Sequence, residues 1–269
     1  MSETTPSDLL DFIARLCELA GDCHLAHWRK LDKYEKKGAK DLVTEADEAA
    51  EAAVASAIRH RFPQDRILAE EGGEIGAEAS AGGRLWIVDP LDGTTNFAHG
   101  LPLFSVSVGV QRDGETVAGG IFAPALGEMY LAGRGLGATR NGQRIGVSKV
   151  DTLEDSLLVT GFPYDRDRHI DWLMGTYGRF LLKTQGVVRL GSAALDLANV
   201  AAGHLDGFYE LNLKPWDCCA GALLVEEAGG RMSNFENESF DPFIPRLVAS
   251  NGRIHAAMVD VLGKEPCGG

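Results

Sequence analysis

No stretch of this chain stays apolar for the roughly 20 residues that a membrane-crossing helix needs, so no helical membrane protein is expected. Cysteine is scarce. The five among 269 residues are odd in number and irregularly spaced, which argues against a disulfide framework and fits a reducing cytoplasm. Positive charge is short as well: 26 lysines and arginines face 39 acids, for a net charge of −13, and no segment forms a basic arm. A general attraction for a nucleic-acid backbone is thereby excluded. The N-terminus is polar and acidic, the opposite of a secretory signal. Repeats, low-complexity tracts and a clean linker are missing too. What remains is an ordinary globular composition, 45% hydrophobic and 24% charged, expected to fold as a single domain over 1–269. An acidic protein that handles an anion needs a local reversal of its field, and a bound divalent metal provides one most economically.

The hydrophobic pattern predicts an α+β fold. Leu9, Phe12, Ile13, Leu16, Leu19 and Ala20 recur at helical spacing within 8–30, with Ser7 as a candidate N-cap. A second, alanine-rich helix is expected over 45–62. Ile67 to Ala69 and Leu85 to Val88 read as short buried strands, each running into acid: Glu70 and Glu71 after the first, Asp89 after the second. From 103 to 148 the alternating run Ser105 to Val110, a turn at Asp113-Gly114 and a return over 117–122 predict an antiparallel meander. The second half alternates instead. Strands are expected at 157–160, 187–190 and 207–211, and helices at 170–182, 192–202, 217–228 and 254–262. The order gives a sandwich with a sheet in each half, divided near residue 150.

The segment richest in chemistry is Asp89-Pro90-Leu91-Asp92-Gly93-Thr94-Thr95. A buried strand delivers Asp89, proline breaks the ladder, and Gly93 permits a tight turn into a helix N-terminus. Two carboxylates with the Leu91 carbonyl between them offer the hard oxygen ligands that Mg²⁺ takes. The amides of Gly93, Thr94 and Thr95 offer an anion site on the positive end of the helix. Taken singly, Asp92 also fits an N-cap and Asp89 a turn residue; the whole string, with acids elsewhere, favours a metal loop. Asp217 opens an apolar helix closed by Gly229-Gly230, and alone reads as its cap. Glu70 alone reads as half of a solvated pair, and Asp47 as an early-helix acid favoured by the dipole. Asp47 can also orient the Thr94 hydroxyl, which then positions a water for attack.

Together these strings resemble the inositol monophosphatase family. The resemblance is carried by Asp41-Leu42-Val43-Thr44-Glu45-Ala46-Asp47, Ala69-Glu70-Glu71, the string from Asp89 to Pro102, Gly191-Ser192-Ala193-Ala194, Gly207-Phe208-Tyr209-Glu210 and Trp216-Asp217. They follow the family order over almost the whole chain. The resemblance implies an αβαβα layered sandwich, usually a homodimer, acting with Mg²⁺ on a phosphate monoester and sensitive to lithium. It implies that Glu70, Asp89 and the Leu91 carbonyl hold one metal, that Asp89, Asp92 and Asp217 hold a second, and that Glu70 reaches a third through water. Asp47 and Thr94 match the pair that activates the attacking water. The Gly93 and Thr94 amides match the phosphate cradle, and Asp92, Ala193 and Glu210 match positions that meet the substrate's hydroxyls. Lys37 is a candidate site lysine in a segment shorter than that of animal members. Attack is expected to be direct and in line. Pro90 and Leu91 separate the two acids, unlike the Asp-x-Asp loop of haloacid-dehalogenase-type phosphatases, whose first Asp is a nucleophile.

Inositol 1-phosphate or a similar polyol phosphate is the expected substrate. The alternatives are a phosphatase of histidinol phosphate, fructose 1,6-bisphosphate or 3′-phosphoadenosine nucleotides, or a non-catalytic binding or regulatory protein of the same fold. Gly133-Arg134-Gly135-Leu136-Gly137-Ala138 nearly fits a dinucleotide fingerprint, but the Asn141-Gly142 turn stands where that motif needs a helix. None of the seven histidines has ligating spacing, and His99 reads as a loop packing residue. Cys218 and Cys219 read as small buried apolar groups.

Overall fold

The first helix forms where the apolar spacing requires it. In the computed structural model, which describes residues 5–29, 35–36, 42–43, 45–76 and 83–263, α1 spans Pro6–His27. Its cap is Thr5 rather than Ser7: the Thr5 hydroxyl accepts from Asp8 N, and Thr5 N donates back to the Asp8 carboxylate. Proline at position 6 decides this, because its missing N–H is harmless only in the first turn. One face of α1 buries Ile13, Leu16, Cys17, Ala20 and His24. The second helix, α2 (Glu45–Arg61), packs against it.

Two-residue strands β1 (Glu35–Lys36) and β2 (Leu42–Val43) pair with each other. The first large sheet uses β3 (Arg66–Ala69), β4 (Gly73–Ile75), β5 (Arg84–Asp92), β6 (Ser105–Arg112), β7 (Glu115–Ala123), β8 (Glu128–Gly133), β9 (Gly137–Arg140) and β10 (Gln143–Arg144), in the order β10-β9-β8-β7-β6-β5-β3-β4. Only β3 and β5 run parallel. The one-turn helix α3 (Thr94–Ala98) follows β5. The near-dinucleotide segment falls in the β8–β9 hairpin, where Gly133 pairs with Gly137.

The second sheet has the order β12-β11-β13-β15-β14, from β11 (Leu157–Thr160), β12 (Gly186–Val188), β13 (Gly207–Leu211), β14 (Arg231–Ser233) and β15 (Arg246–Ser250). Its helices are α4 (Ile170–Leu181), α5 (Ala193–Ala201), α6 (Pro215–Glu227) and α7 (His255–Leu262). The strands β14 and β15 were not expected, because the apolar run Leu247-Val248-Ala249 is too short to show a period of two. Burial beside β13 decides its conformation.

The layers follow from which helices touch which sheet. Helices α1 and α2 cover the outer face of the first sheet, and α4 and α7 lie on the second. Helices α5 and α6 touch both sheets and form the middle layer, so the order is αβαβα, as expected. Both middle helices are correspondingly apolar: Leu197, Val200, Leu223, Leu224 and Val225 are all buried.

Candidate active site

The site begins as a flaw in a strand. Strand β5 pairs regularly with β6 as far as Asp89 opposite Ser107, and pairing resumes at Asp92 opposite Ser105. Pro90 and Leu91 thus face one residue, a β-bulge that proline favours because it cannot donate to the ladder. The bulge turns both acids to the same end of the sheet. Asp89 Oδ1 accepts from Leu91 N at 3.0 Å, and the Leu91 carbonyl accepts from the Thr94 hydroxyl at 3.0 Å. The same hydroxyl lies 3.4 Å from Asp47 Oδ1, on the first turn of α2. Gly93, at φ 89°, takes the left-handed conformation that leads into α3; a Cβ there would meet Leu103 O at 2.9 Å.

The other acids arrive from neighbouring ends. Strand β3 runs parallel to β5 with Ala69 opposite Val88, and Glu70 N donates to Val88 O, so Glu70 comes out beside Asp89. Asp217 is the third residue of α6, whose cap is Lys214; its carboxylate accepts from Lys214 N at 2.6 Å. Asp217 is therefore not the cap itself. Pro215 starts the helix two residues earlier than expected, in the position its ring prefers. Asp92 is held most completely. Its Oδ2 accepts from the Ser192 and Ser105 hydroxyls and from Ala194 N, and its Oδ1 accepts only from Ala193 N, at 3.2 Å. Three donors fill Oδ2, whereas Oδ1 keeps a free lone pair. Because the amides belong to the first turn of α5, the helix dipole adds to the hold.

Glu70, Asp89, Leu91, Asp92 and Asp217 line one cavity of about 790 Å³, together with Gly161, Arg166, Arg189, Asp196, Glu210 and Lys214. Gly93, Thr94 and Ala193 line it too, and His99 stands among its walls. The Ala193 amide is already committed to Asp92. Lys37, Asp41 and Thr44 lie outside the described residues.

Burial raises the proton affinity of Asp89, Asp92 and Asp217. Asp89 is pushed well above the usual carboxylate range, first by burial and then by the charges of Glu70, Asp92, Asp217 and Asp47. Asp217 is pushed up to about 7, mainly by burial, against the opposing hydrogen bond from Lys214. Asp92 is also raised by burial, with the Ser192 hydroxyl and the α5 amides pulling the other way. Glu210 and Asp196, which line the same cavity, are raised well above their usual values by burial and by the acids around them, with Arg189 opposing. Acids so placed suit a cation. The donors are carboxylate oxygens and a carbonyl, a hard set that fits a divalent metal of the magnesium or calcium kind rather than zinc. Among the described residues no three acidic, histidine or cysteine side chains close into a preformed cage. The fit lies in charge and donor chemistry.

Two contributors were given no role by the sequence. The buried His24 places Nε2 2.7 Å from Pro90 O. A carbonyl can only accept, so Nε2 carries the proton, and burial pushes the ring down to about 4, keeping it neutral. His24 thereby fastens the bulge to α1, and the only hint was a polar residue in the apolar stripe. Asn96 spans the two halves: its Nδ2 donates to Leu103 O at 2.7 Å and to Leu190 O at 2.8 Å.

The carboxylate floor thus opens between the two sheets of an αβαβα sandwich. The chain belongs to the inositol monophosphatase family, whose family model matches residues 7–265. It is 41% identical to the inositol-1-monophosphatase of Synechocystis sp. over 97% of this chain and 92% of that protein. It is 40% identical to the fructose-1,6-bisphosphatase/inositol-1-monophosphatase of Thermotoga maritima over 96% of each. Among solved structures, the inositol monophosphatase of Anabaena (Nostoc) sp. superposes with a TM-score of 0.88 at 41% identity, covering 97% of both chains. The enzyme is thus a phosphatase. No described helix is long and apolar enough to cross a membrane.

Proposed function

We propose that this enzyme hydrolyses inositol 1-phosphate, or a similar polyol monophosphate, with Mg²⁺ as its metal. The observation that carries this reading is a cavity with an acidic floor and, on the opposite wall, a buried carboxylate, Glu210, that makes no hydrogen bond among the described residues. Glu70, Asp89 and the Leu91 carbonyl would hold one cation, and Asp89, Asp92 and Asp217 a second. Bound there, divalent cations would offset the phosphate's charge, make a water acidic enough to attack and stabilise the leaving alkoxide.

The chain's own groups do the rest. The Thr94 hydroxyl has one proton and two acceptors, Leu91 O and Asp47 Oδ1. With its proton given to Asp47, the hydroxyl would keep a lone pair to orient the attacking water. The amides of the N-cap Gly93 and of Thr94 would face the phosphate oxygens, since no carbonyl inside the helix can accept them. Glu210 accepts from hydroxyls of the leaving alcohol, and Asp92 and Ala193 line the same cavity. No side chain need form a phosphoenzyme.

A second reading concerns the substrate's other end. Arg166, Arg189 and Lys214 line the same cavity, a cationic set in an acidic protein, and the Thermotoga relative carries a bisphosphatase name. Fructose 1,6-bisphosphate suits those cations, whereas an uncharged polyol leaves them idle. Release of phosphate from inositol 1-phosphate, fructose 1,6-bisphosphate, histidinol phosphate and 3′-phosphoadenosine nucleotides, with Mg²⁺ and with EDTA, tests both readings. Histidinol phosphate as the preferred substrate would defeat both, and full turnover in EDTA would remove the metal.

Inhibition by lithium fits a magnesium-sized oxygen site, which lithium enters with half the charge. Cytoplasmic residence is supported by four described cysteines that are all free thiols. A homodimer is supported by the exposed apolar side chains Ile170, Met174, Leu181 and Leu182 on and beside α4. Sedimentation of the purified protein tests it.

A further inference from the structure

Glu210 and Gly161 sit side by side. Strands β11 and β13 run parallel with Thr160 paired to Tyr209, so Gly161 and Glu210 follow at the next step. The Thr160 hydroxyl closes the strand ends by donating to Tyr209 O at 2.7 Å. Beyond it the Glu210 carboxylate lies directly over Gly161. A Cβ at 161 would stand 2.0 Å from Oε2 and 2.3 Å from both Cδ and Oε1, and these are the three atoms it would meet first. Gly161 does not have a positive φ, so its backbone would accept a side chain. The obstacle is the far end of Glu210.

The other surroundings of that carboxylate are mostly hostile. Asp217 and Asp92 face it as like charges, and its own charge is felt by Asp196. Arg189 is the favourable neighbour. The bare backbone of Gly161 is uncharged and leaves room for a carboxylate.

We propose that Gly161 is a positioning residue for selectivity: by lacking a side chain it seats the Glu210 carboxylate where a polyol's hydroxyls are read. The inference rests on the reading of Glu210 given above. It makes a methyl group at 161 a tool that moves one carboxylate and spares the carboxylates proposed to hold metal. Gly161→Ala should fold, because a flexible side-chain end can swing away where backbone could not.

The test is a cycle of Gly161→Ala, Glu210→Ala and the double variant, assayed with Mg²⁺ on inositol 1-phosphate and on p-nitrophenyl phosphate, which has no alcohol hydroxyls to read. Each single variant should lower the preference for inositol 1-phosphate, as a ratio of kcat/KM values, by about tenfold. The double variant should lose no more than Glu210→Ala alone, since without the carboxylate there is nothing for the methyl group to displace. A normal preference in Gly161→Ala, with a lowered one in Glu210→Ala, would overturn the positioning role and leave Glu210 as the reader. A further loss on adding Gly161→Ala to Glu210→Ala would overturn it as well, by showing that the methyl group acts elsewhere. An unchanged preference in Glu210→Ala would sink both the reader and its seat.

Discussion

Two sides of one cavity hold buried carboxylates by opposite means. On the side of the first sheet, Asp92 accepts four hydrogen bonds, Asp89 is bonded within its own bulge, and Asp217 is bonded to the start of its own helix and to Asp89. On the side of the second sheet, Glu210 has no hydrogen bond among the described residues, and on α5, in the layer between, Asp196 Oδ1 is buried without a partner. Hydrogen bonds from backbone and short side chains leave the first group few rotamers, as chemistry with small tolerances demands. The second group is placed by shape, with its bonding capacity left for something that enters. The difference teaches where to look for catalysis and where for selectivity.

The largest effect should come from the fixed side. Asp92→Asn and Asp217→Asn are expected to fold and to lose at least about a hundredfold in kcat, the size of a lost electrostatic stabiliser. For Asp217→Asn the loss should be alike for inositol 1-phosphate and p-nitrophenyl phosphate. Near-normal turnover in either folded variant would erase the distinction between the two sides.

A smaller and selective effect is expected opposite. Glu210→Gln should lower kcat/KM for inositol 1-phosphate by about ten- to a hundredfold, as for a lost charged hydrogen bond. Hydrolysis of p-nitrophenyl phosphate should change much less. Equal losses on both substrates would place Glu210 with the fixed acids.

His24 sharpens the comparison from behind. His24→Leu strands the buried Pro90 carbonyl, at a cost of about 1–3 kcal/mol. For a chain of this size that lowers the melting temperature by several degrees. His24→Gln, which keeps a donor, should recover part of the loss. Identical melting curves for the leucine and glutamine variants would mean that the bulge does not depend on this bond.

The smallest effect is one of pH. Asp217 holds its proton more tightly folded, up to about 7, than at the ordinary value of 3.8. The folded state therefore carries more protons between those values, and stability is lost as pH rises through about 7. His24 and His255 act in the opposite sense: pushed down to about 4 from 6.5, they add stability as pH rises between those values, with a tail that fades about one pH unit above 6.5. In EDTA the two trends offset each other around neutral pH, so the readout is the difference that metal makes. Mg²⁺ takes the carboxylate forms and should raise the melting temperature more at pH 8 than at pH 6. A rise that is the same at both pH values would contradict this account.

The chain's pattern by itself determined most of the architecture. Helical spacing in 8–30, alternation in 105–110 and the strand-turn-acid string at Asp89 are local, and local periodicity is what a sequence displays. Motif order marked the acids of the floor for the same reason, since each stands at the end of an element that its own neighbours define. Tertiary structure alone decided the rest. Strand β15 has too few apolar residues to announce itself and forms because β13 offers it an edge. His24 reaches the bulge only once α1 lies on the first sheet. Gly161 looks like any loop glycine until β11 aligns with β13 and puts a carboxylate where its side chain would be. Such roles belong to pairs distant in sequence, and which distant residues meet is fixed by packing, not by either segment alone.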